Sequence, residues 1–254
     1  MNDRNYGRFN GPAKHVAQRP KGPVRLFLEL WWENVWSMIP MNVMYSMLSL
    51  LLLPHGFVSA GMTNVTRNLA RDKHTYGLSD FFETAKKNWK QSLAAGSINL
   101  FITVLMIFGM IFYFMYQDWF AWLGFGVCLV AFAMFSIMKY YIWLLIITFK
   151  LPLKSIYTNS FYFIFLNFKN NMIIGLVSLA YYALLIVVLL VLPHPLTISI
   201  EFMLTVMFFP GFKHLLVQYC VFPSVKKHMI DPYYQEHPEE DIEMRKDLHV
   251  ITEE

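Results

Sequence analysis

The stretch that decides the fold is residues 93–148, which read LAAGSINLFITVLMIFGMIFYFMY, then QD, then WFAWLGFGVCLVAFAMFSIMKYYIWLLIIT. Asp118 and Lys139 are its only charged residues. A helix needs about 20 consecutive apolar residues to cross a bilayer. The stretch therefore predicts two membrane-spanning helices, about 93–116 and 120–148, joined by a tight turn at Asp118.

The rest of the chain has the same character. Of its 254 residues, 56% are hydrophobic and 15% are charged, against roughly 45–50% apolar and about 25% charged in a typical soluble domain. Two further uncharged runs predict spans at about 172–192 and 196–222. We therefore expect an all-α, polytopic transmembrane bundle over residues 24–230. Cys128 and Cys220 both lie in apolar stretches, which argues against a secreted disulfide scaffold.

Charge is distributed unevenly along the chain. Residues 1–23 form a basic arm without an apolar run, which does not fit a signal peptide. Residues 231–254 form an acidic tail with nine acids and two bases, whereas residues 1–230 hold 19 bases and eight acids. This division argues against a nucleic-acid binder, and the lipid bilayer is the expected partner.

The basic residues also predict an orientation. Lys and Arg number six before Leu26, six from Arg67 to Lys90, three from Lys150 to Lys169 and four after Pro223, but none lies in the turns at Asp118 and His194. Because cytoplasmic loops hold an excess of Lys and Arg, we expect those two turns to face outward. The carboxyl terminus is then cytoplasmic.

The first apolar block has basic residues on both sides, so an excursion that returns to the same side is favoured. We interpret residues 26–53 as an ascending helix, 54–56 as an outer turn and 58–71 as a short descending or re-entrant helix. The amino terminus is then cytoplasmic as well. Five crossings with the amino terminus outside are the alternative.

The chain contains an internal repeat. Residues 88–100 (NWKQSLAAGSINL) align without gaps on residues 167–179 (NFKNNMIIGLVSL), at an offset of 79. The matched Asn, aromatic, Lys and Gly favour a parallel duplication, and chance similarity between two apolar helices is the alternative. An amphipathic interfacial helix precedes each copy, at about 80–90 and 155–169.

Two groups of residues are candidates for function. The polar helix 58–71 and the ionisable residues within the spans predict a buried polar site made of Thr63, Asn64, Arg67, Lys139, Lys213 and His214. Lys139 and Lys213 lie about 28 and 25 Å below the starts of their helices at ~1.5 Å per residue. They are therefore deep enough to snorkel to the inner headgroups, and a polar site shared between the two helices is the alternative.

The interfacial helices suggest a docking surface. Asp80 and Glu83 have the spacing of a capping box, and apolar and basic residues then occupy opposite helix faces. A membrane-surface anchor is one interpretation. A cytoplasmic contact with another membrane complex is the other, and its candidate residues are Phe82, Trp89, Lys90, Phe168 and Lys169. No catalytic, metal-binding or cofactor-binding motif is present in the sequence, so we expect a protein that is not an enzyme and needs no cofactor.

Several segments resemble the YesL-like family of bacterial integral membrane proteins, a domain of unknown function. They are Gly61-Met-Thr-Asn-Val-Thr-Arg67-Asn-Leu-Ala-Arg71, Asp80-Phe-Phe, Lys87-Asn-Trp-Lys-Gln-Ser92, Ile147-Thr-Phe-Lys-Leu-Pro-Leu-Lys154, Tyr157-Thr-Asn-Ser160, Tyr219-Cys-Val-Phe-Pro223 and Met229-Ile-Asp-Pro232. The resemblance spans residues 26–232. Ser59-Ala-Gly-Met62 lacks the proline that members usually carry at this place.

The resemblance implies a bacterial cell membrane protein, often encoded beside carbohydrate ABC transporters. It implies a non-enzymatic accessory or regulatory component with ABC permease subunits as partners. No catalytic or ligand residues carry over from the family. A self-contained small-solute transporter or channel is the alternative function.

The orientation can be tested by cysteine labelling of intact cells. We expect an impermeant reagent to label cysteines introduced beside Asp118 and His194, because both turns carry no positive charge. A cysteine at Asn10 should stay unlabelled until the cells are opened. Labelling at Asn10 in intact cells would place the amino terminus outside.

Overall fold

The computed structural model of the chain describes residues 22–52, 55–71, 73, 75–116 and 118–236. Most of the predicted basic arm, 1–23, and most of the predicted acidic tail, 231–254, lie outside these residues. Throughout the described residues the secondary structure is helical and no strand occurs. The predicted all-α fold is confirmed.

The helices follow one another with short connections. In chain order they are α1 (Pro23–Ser49), α2 (His55–Ala70), α3 (Leu78–Lys87), α4 (Trp89–Tyr116), α5 (Trp119–Thr148), α6 (Leu153–Leu166), α7 (Phe168–Val191), α8 (Pro195–Val225) and α9 (Asp231–Glu236). A π-helical turn, Lys226–Ile230, joins α8 to α9.

Four described helices are long and apolar enough to cross a membrane: α4, α5, α7 and the continuous segment Pro195–Tyr233 that contains α8. They match the four clear spans of the sequence and form two hairpins, since α4 packs on α5 and α7 packs on α8. This arrangement fits a membrane protein and confirms the predicted polytopic helical bundle. We call the ends of these helices beside Asp118 and His194 the turn ends, and the opposite ends the base.

The hairpin of α1 and α2 lies toward the base. The Cα of Gly56, at the start of α2, would lie only 2.9 Å from a Cβ added at Gly96 of α4, and Gly96 is about 30 Å from the turn end of α4 at ~1.5 Å per residue. The ring of Tyr45 in α1 contacts the ring of His214, with centroids 5.0 Å apart. His214 is about 28 Å from the turn end of α8 by the same measure.

The interpretation of residues 54–56 as an outer turn stays a prediction, since residues 53 and 54 lie outside the described residues. Ser46, near the end of α1, donates a 3.4 Å hydrogen bond to the backbone oxygen of Val206, about 16 Å from the turn end of α8. The hairpin thus enters the bundle only part of the way, as a re-entrant segment does. The polar side chains of α2 need protein partners, which the base offers and lipid does not.

Helix α2 lies at the centre of the base. It packs against α1, α3, α4, α5 and α8. The buried residues of this 16-residue helix are Gly56, Val58, Ser59, Ala60, Gly61, Met62, Thr63, Val65, Thr66 and Leu69. The hydrophobic core continues from α2 into the base ends of the spans, through residues such as Ile142, Ile174 and Leu215.

Small residues let α2 approach its neighbours closely. A Cβ at Gly56 would meet the backbone oxygen of Ser92 at 2.0 Å, and a Cβ at Gly61 would meet the backbone oxygen of Phe81 at 2.6 Å. Close backbone packing of this kind is how helices associate in membranes, where van der Waals contact replaces hydrophobic driving force. Glycine is therefore required at these two crossings.

The helix boundaries follow the repeat offset of 79 residues. Helices α3, α4 and α5 correspond to α6, α7 and α8, and each copy breaks at the same residue, Asn88 or Asn167, which has a non-helical backbone conformation. Equivalent positions are buried in both copies, including Ala85 and Ile164, Ser92 and Asn171, Ala95 and Ile174, Ile142 and Val221, and Ile146 and Val225.

The Asn breaks also move two helix boundaries. The predicted interfacial helices 80–90 and 155–169 end earlier, at Lys87 and Leu166. Each is followed by one residue and then by a span that begins about four residues before its predicted start. The reason is that Asn88 and Asn167 end one helix and allow the next to start in a new direction, which hydrophobic periodicity does not record.

The two copies differ in what covers their glycine. Gly96 contacts Gly56 of α2, whereas a Cβ at the equivalent Gly175 of α7 would meet nothing within 4 Å. Helix α2 therefore covers α4 and leaves the corresponding face of α7 open. Helix α2 covers this glycine in only one of the two copies, and this breaks the pseudo-symmetry of the repeat.

This asymmetry gives a matched pair of variants. We expect Gly96→Leu to destabilise the protein by about 1–3 kcal/mol, because overpacking forces the helices apart. Gly175→Leu should be tolerated, since its side chain meets open space. Thermal unfolding in detergent measures both. Equal losses at the two positions would show that α2 does not pack against α4 as described.

Candidate functional site

The two lysines within the spans, Lys139 and Lys213, lie close to aromatic rings. The Lys139 ammonium lies 5.5 Å from the ring centroid of Phe135, and the Lys213 ammonium lies 6.0 Å from that of Phe209. Each ring belongs to the residue four positions earlier, on the side of the turn end. Long side chains in a helix lean toward its amino-terminal end, so each ammonium group lies over the ring one turn before it. Snorkelling and a shared polar site both stay predictions.

Two histidines complete a group of basic side chains. Trp143, one turn beyond Lys139 on α5, has its ring 6.3 Å from that of His55 at the start of α2. The ring of His214, which follows Lys213 on α8, lies 5.0 Å from that of Tyr45, and the Tyr45 ring lies 6.0 Å from that of His55. We call these four residues, His55, Lys139, Lys213 and His214, the cationic cluster. They come from three helices, α2, α5 and α8.

Aromatic side chains surround the cationic cluster. The His55 ring lies 6.0 Å from the ring of Tyr45 and 6.3 Å from that of Trp143. The ring of Tyr182 in α7 lies 5.4 Å from that of Phe209, the ring that the Lys213 ammonium also approaches. The site therefore offers tyrosine hydroxyls as well as positive charge.

No acidic residue neutralises the cationic cluster within the described part of the chain. The acidic partners found there are Glu29, which pairs with Arg25 at 3.0 Å, and Asp231, which pairs with Lys226 at 3.8 Å. Glu201, the acidic residue of α8, lies 12 residues before Lys213 in the sequence, about 18 Å along the helix. The cluster thus carries net positive charge.

The other predicted polar residues form a second group. Arg67 donates from Nη2 to Asn64 Oδ1 at 2.7 Å and from Nη1 to Thr148 Oγ1 at 3.1 Å. Thr63 is buried, and its hydroxyl has no hydrogen-bond partner among the described residues. Thr148 lies nine residues beyond Lys139, about 14 Å along α5. The six candidates therefore occupy two places.

The predicted docking residues are divided between two kinds of position. Trp89, Lys90, Phe168 and Lys169 are exposed, and they lie in the first turns of α4 and α7 at equivalent places in the two copies. The Lys90 ammonium lies 5.6 Å from the Trp89 ring. Phe82 instead packs partly buried against the core, with its ring 5.3 Å from that of Phe81.

Hydrogen bonds near the base join α5 to α7 and join the second interfacial helix, α6, to α4. Tyr141 donates to Asn171 Oδ1 at 2.7 Å and accepts from Asn167 at 3.1 Å. Tyr157 of α6 donates to Asn99 Oδ1 of α4 at 2.7 Å. Burial raises the pKa of Tyr157 to about 12, so its hydroxyl keeps the donated proton at neutral pH. These contacts fix α5 to α7 and α6 to α4 near the base.

Sequence reasoning missed His55, Tyr45 and Tyr182. His55 follows Pro54 and precedes Gly56, a composition that indicates a chain turn and gives no sign of a site. The two tyrosines lie in apolar helices, where core packing is the usual role. A basic residue close to the end of an intramembrane segment was the one available signal for His55.

The described residues contain no group of three His, Cys, Asp or Glu side chains that could hold a metal ion. Cys128 and Cys220 are free thiols. The cationic cluster supplies positive charge and hydroxyl donors, and both are properties that bind anions.

The family described as "Protein of unknown function, DUF624" matches residues 30–119. The matched region runs from α1 to the start of α5 and contains α2, the first interfacial helix and the first span. The chain is similar to that family over this region. Comparisons with curated proteins and with solved structures each give no match.

The second polar group can be tested through Asn64. We expect Asn64→Leu to cost about 1–3 kcal/mol of stability, because a charged donor of Arg67 loses its acceptor in the protein interior. Thermal unfolding in detergent gives the loss. Met47→Leu is the control, since Met47 is 61% exposed and changes little in volume. A loss at Asn64 no greater than that at Met47 would remove the structural role of the Arg67 group.

Proposed function

We propose that this chain is a non-enzymatic accessory or regulatory component of carbohydrate ABC uptake in the bacterial cell membrane, with both termini in the cytoplasm. The YesL-like resemblance carries the association with ABC transporters. The match of residues 30–119 to a family of unknown function is compatible with that resemblance. In this proposal the chain binds ABC permease subunits from the side and has no role with nucleic acid.

One observation supports lateral association in particular. In the most apolar 18-residue stretch of each spanning helix, between 6% and 11% of the residues are buried within the chain. The spans therefore pack tightly at the base and leave their apolar surfaces available over most of their length. A surface of this kind suits contact with lipid and with other membrane helices, which associate by surface packing.

The exposed aromatic and basic residues near the base are the proposed cytoplasmic contact. Trp89 is 48% exposed and Phe168 is 56% exposed, and a lysine follows each of them. Aromatic residues and cations of this kind anchor protein interfaces when they fill a partner's pocket. The repeat presents the pair twice, which suits a partner with two similar subunits.

A self-contained transporter or channel is the second candidate. The cationic cluster favours it, since Lys139 and Lys213 lie together within spanning helices and such residues often mark ion pathways. The low burial of the spans weighs against it for a single chain, because a conduction path needs enclosing walls. The two candidates differ in what accompanies the protein on purification.

Co-purification separates the two functions. The tagged chain, solubilised gently from its own cells, should enrich carbohydrate permease subunits in mass spectrometry. The double variant Trp89→Ala with Phe168→Ala should reduce that recovery several-fold.

The matched control is Trp119→Ala with Phe120→Ala. These residues are of the same types, are 78% and 79% exposed, and lie at a turn end. Recovery of permease subunits should be unchanged in this variant. A chain that purifies without permease subunits and moves a sugar or an ion in liposomes would instead support the transporter.

A further inference from the structure

The cationic cluster places positive charge where no ion pair with an acidic residue occurs among the described residues. The Lys139 ammonium lies 5.5 Å from the Phe135 ring of α5, and the Lys213 ammonium lies 6.0 Å from the Phe209 ring of α8. The two helices contact each other. Like charges in a poorly solvated site repel each other, and an unpaired ammonium within a span is costly. Such a group is retained when a partner of opposite charge binds it.

We propose that the cationic cluster binds a phosphate-class anion, either the headgroup phosphate of an anionic phospholipid or soluble phosphate. Two ammonium groups from α5 and α8 contribute the charge. The rings of Tyr45 and Tyr182 contact those of His214 and Phe209, and in this proposal their hydroxyls contribute neutral donors. Hydrogen bonds from ionised donors to phosphate oxygens are short and strong.

The depth of the cluster fits the level of lipid phosphates. Lys139 lies about 30 Å from the turn end of α5, and Lys213 lies about 27 Å from the turn end of α8, at ~1.5 Å per residue. The hydrocarbon layer of a bilayer is about 30 Å thick. The backbone at both lysines is therefore close to the boundary of that layer on the base side, and the ammonium groups lie within about one helix turn (5.4 Å) of it.

The cluster is accessible from outside the protein. Lys139 and Lys213 are both partly exposed, whereas the neighbouring residues Gly211, Leu215 and Tyr141 are buried. The anion would contact α5 of one hairpin and α8 of the other. Its binding should therefore hold the two hairpins together and stabilise the folded protein by mass action.

Thermal unfolding of the full chain in detergent tests this. Mixed micelles containing phosphatidylglycerol should raise the unfolding midpoint, whereas phosphatidylcholine, which carries no net charge, should not. In Lys139→Met with Lys213→Met we expect phosphatidylglycerol to bind more weakly by about tenfold or more, since two charged hydrogen-bond donors are lost.

The control is Lys150→Met with Lys154→Met, which removes the same charge from exposed lysines near the base. This variant should keep the full response. Lys139→Arg with Lys213→Arg preserves both charges and should also preserve the response to phosphatidylglycerol. This variant distinguishes a binding role from a folding role. If the methionine variant does not fold, loss of the response in Lys213→Gln alone supports the proposal and a full response contradicts it.

A third arm identifies the source of the phosphate. Inorganic phosphate at millimolar concentration should reproduce the stabilisation if the natural ligand is soluble, and should have no effect if the site requires a lipid. Equal stabilisation by phosphatidylglycerol and phosphatidylcholine would overturn the proposal. So would an unchanged phosphatidylglycerol response in the methionine variant.

Discussion

The close backbone contact between α2 and α4 is the constraint on which the rest of the structure depends. Gly56 and Gly96 meet with no space for a side chain, and this contact helps to hold a short polar helix against the base ends of three spans, α4, α5 and α8. Polar backbone and side chains inside a membrane need protein partners. Helix α2 receives them from five neighbouring helices, and the buried core of the protein forms around it.

This arrangement divides the molecule into a packed base and exposed spans. The base contains α1, α2 and the interfacial helices α3 and α6, fixed by hydrogen bonds such as that from Tyr157 to Asn99. Beyond it the two hairpins extend with little burial. The contacts that stabilise the fold therefore lie in the base. The surfaces available to a partner lie on the spans and on their first turns.

The cationic cluster lies at the border between these two parts. His55 belongs to the re-entrant hairpin, whereas Lys139 and Lys213 belong to different spanning hairpins. A single ligand there would contact all three. A bound anion at the cluster would therefore affect how the hairpins pack on the base. Through the hairpins it would also affect the surfaces that a permease would contact.

The sequence by itself determined the helical class, the four spans and the repeat, because runs of uncharged apolar residues and matched motifs are local properties. It also indicated that Thr63, Asn64 and Arg67 belong to a helix that cannot face lipid. Tertiary structure alone decided that α1 and α2 lie at the base. It also decided that His55 lies near Lys139 and Lys213, and that Arg67 lies apart from them. Hydrophobic periodicity records which residues leave water, whereas the depth of a re-entrant hairpin and the direction of a lysine side chain depend on backbone contacts between helices far apart in the chain.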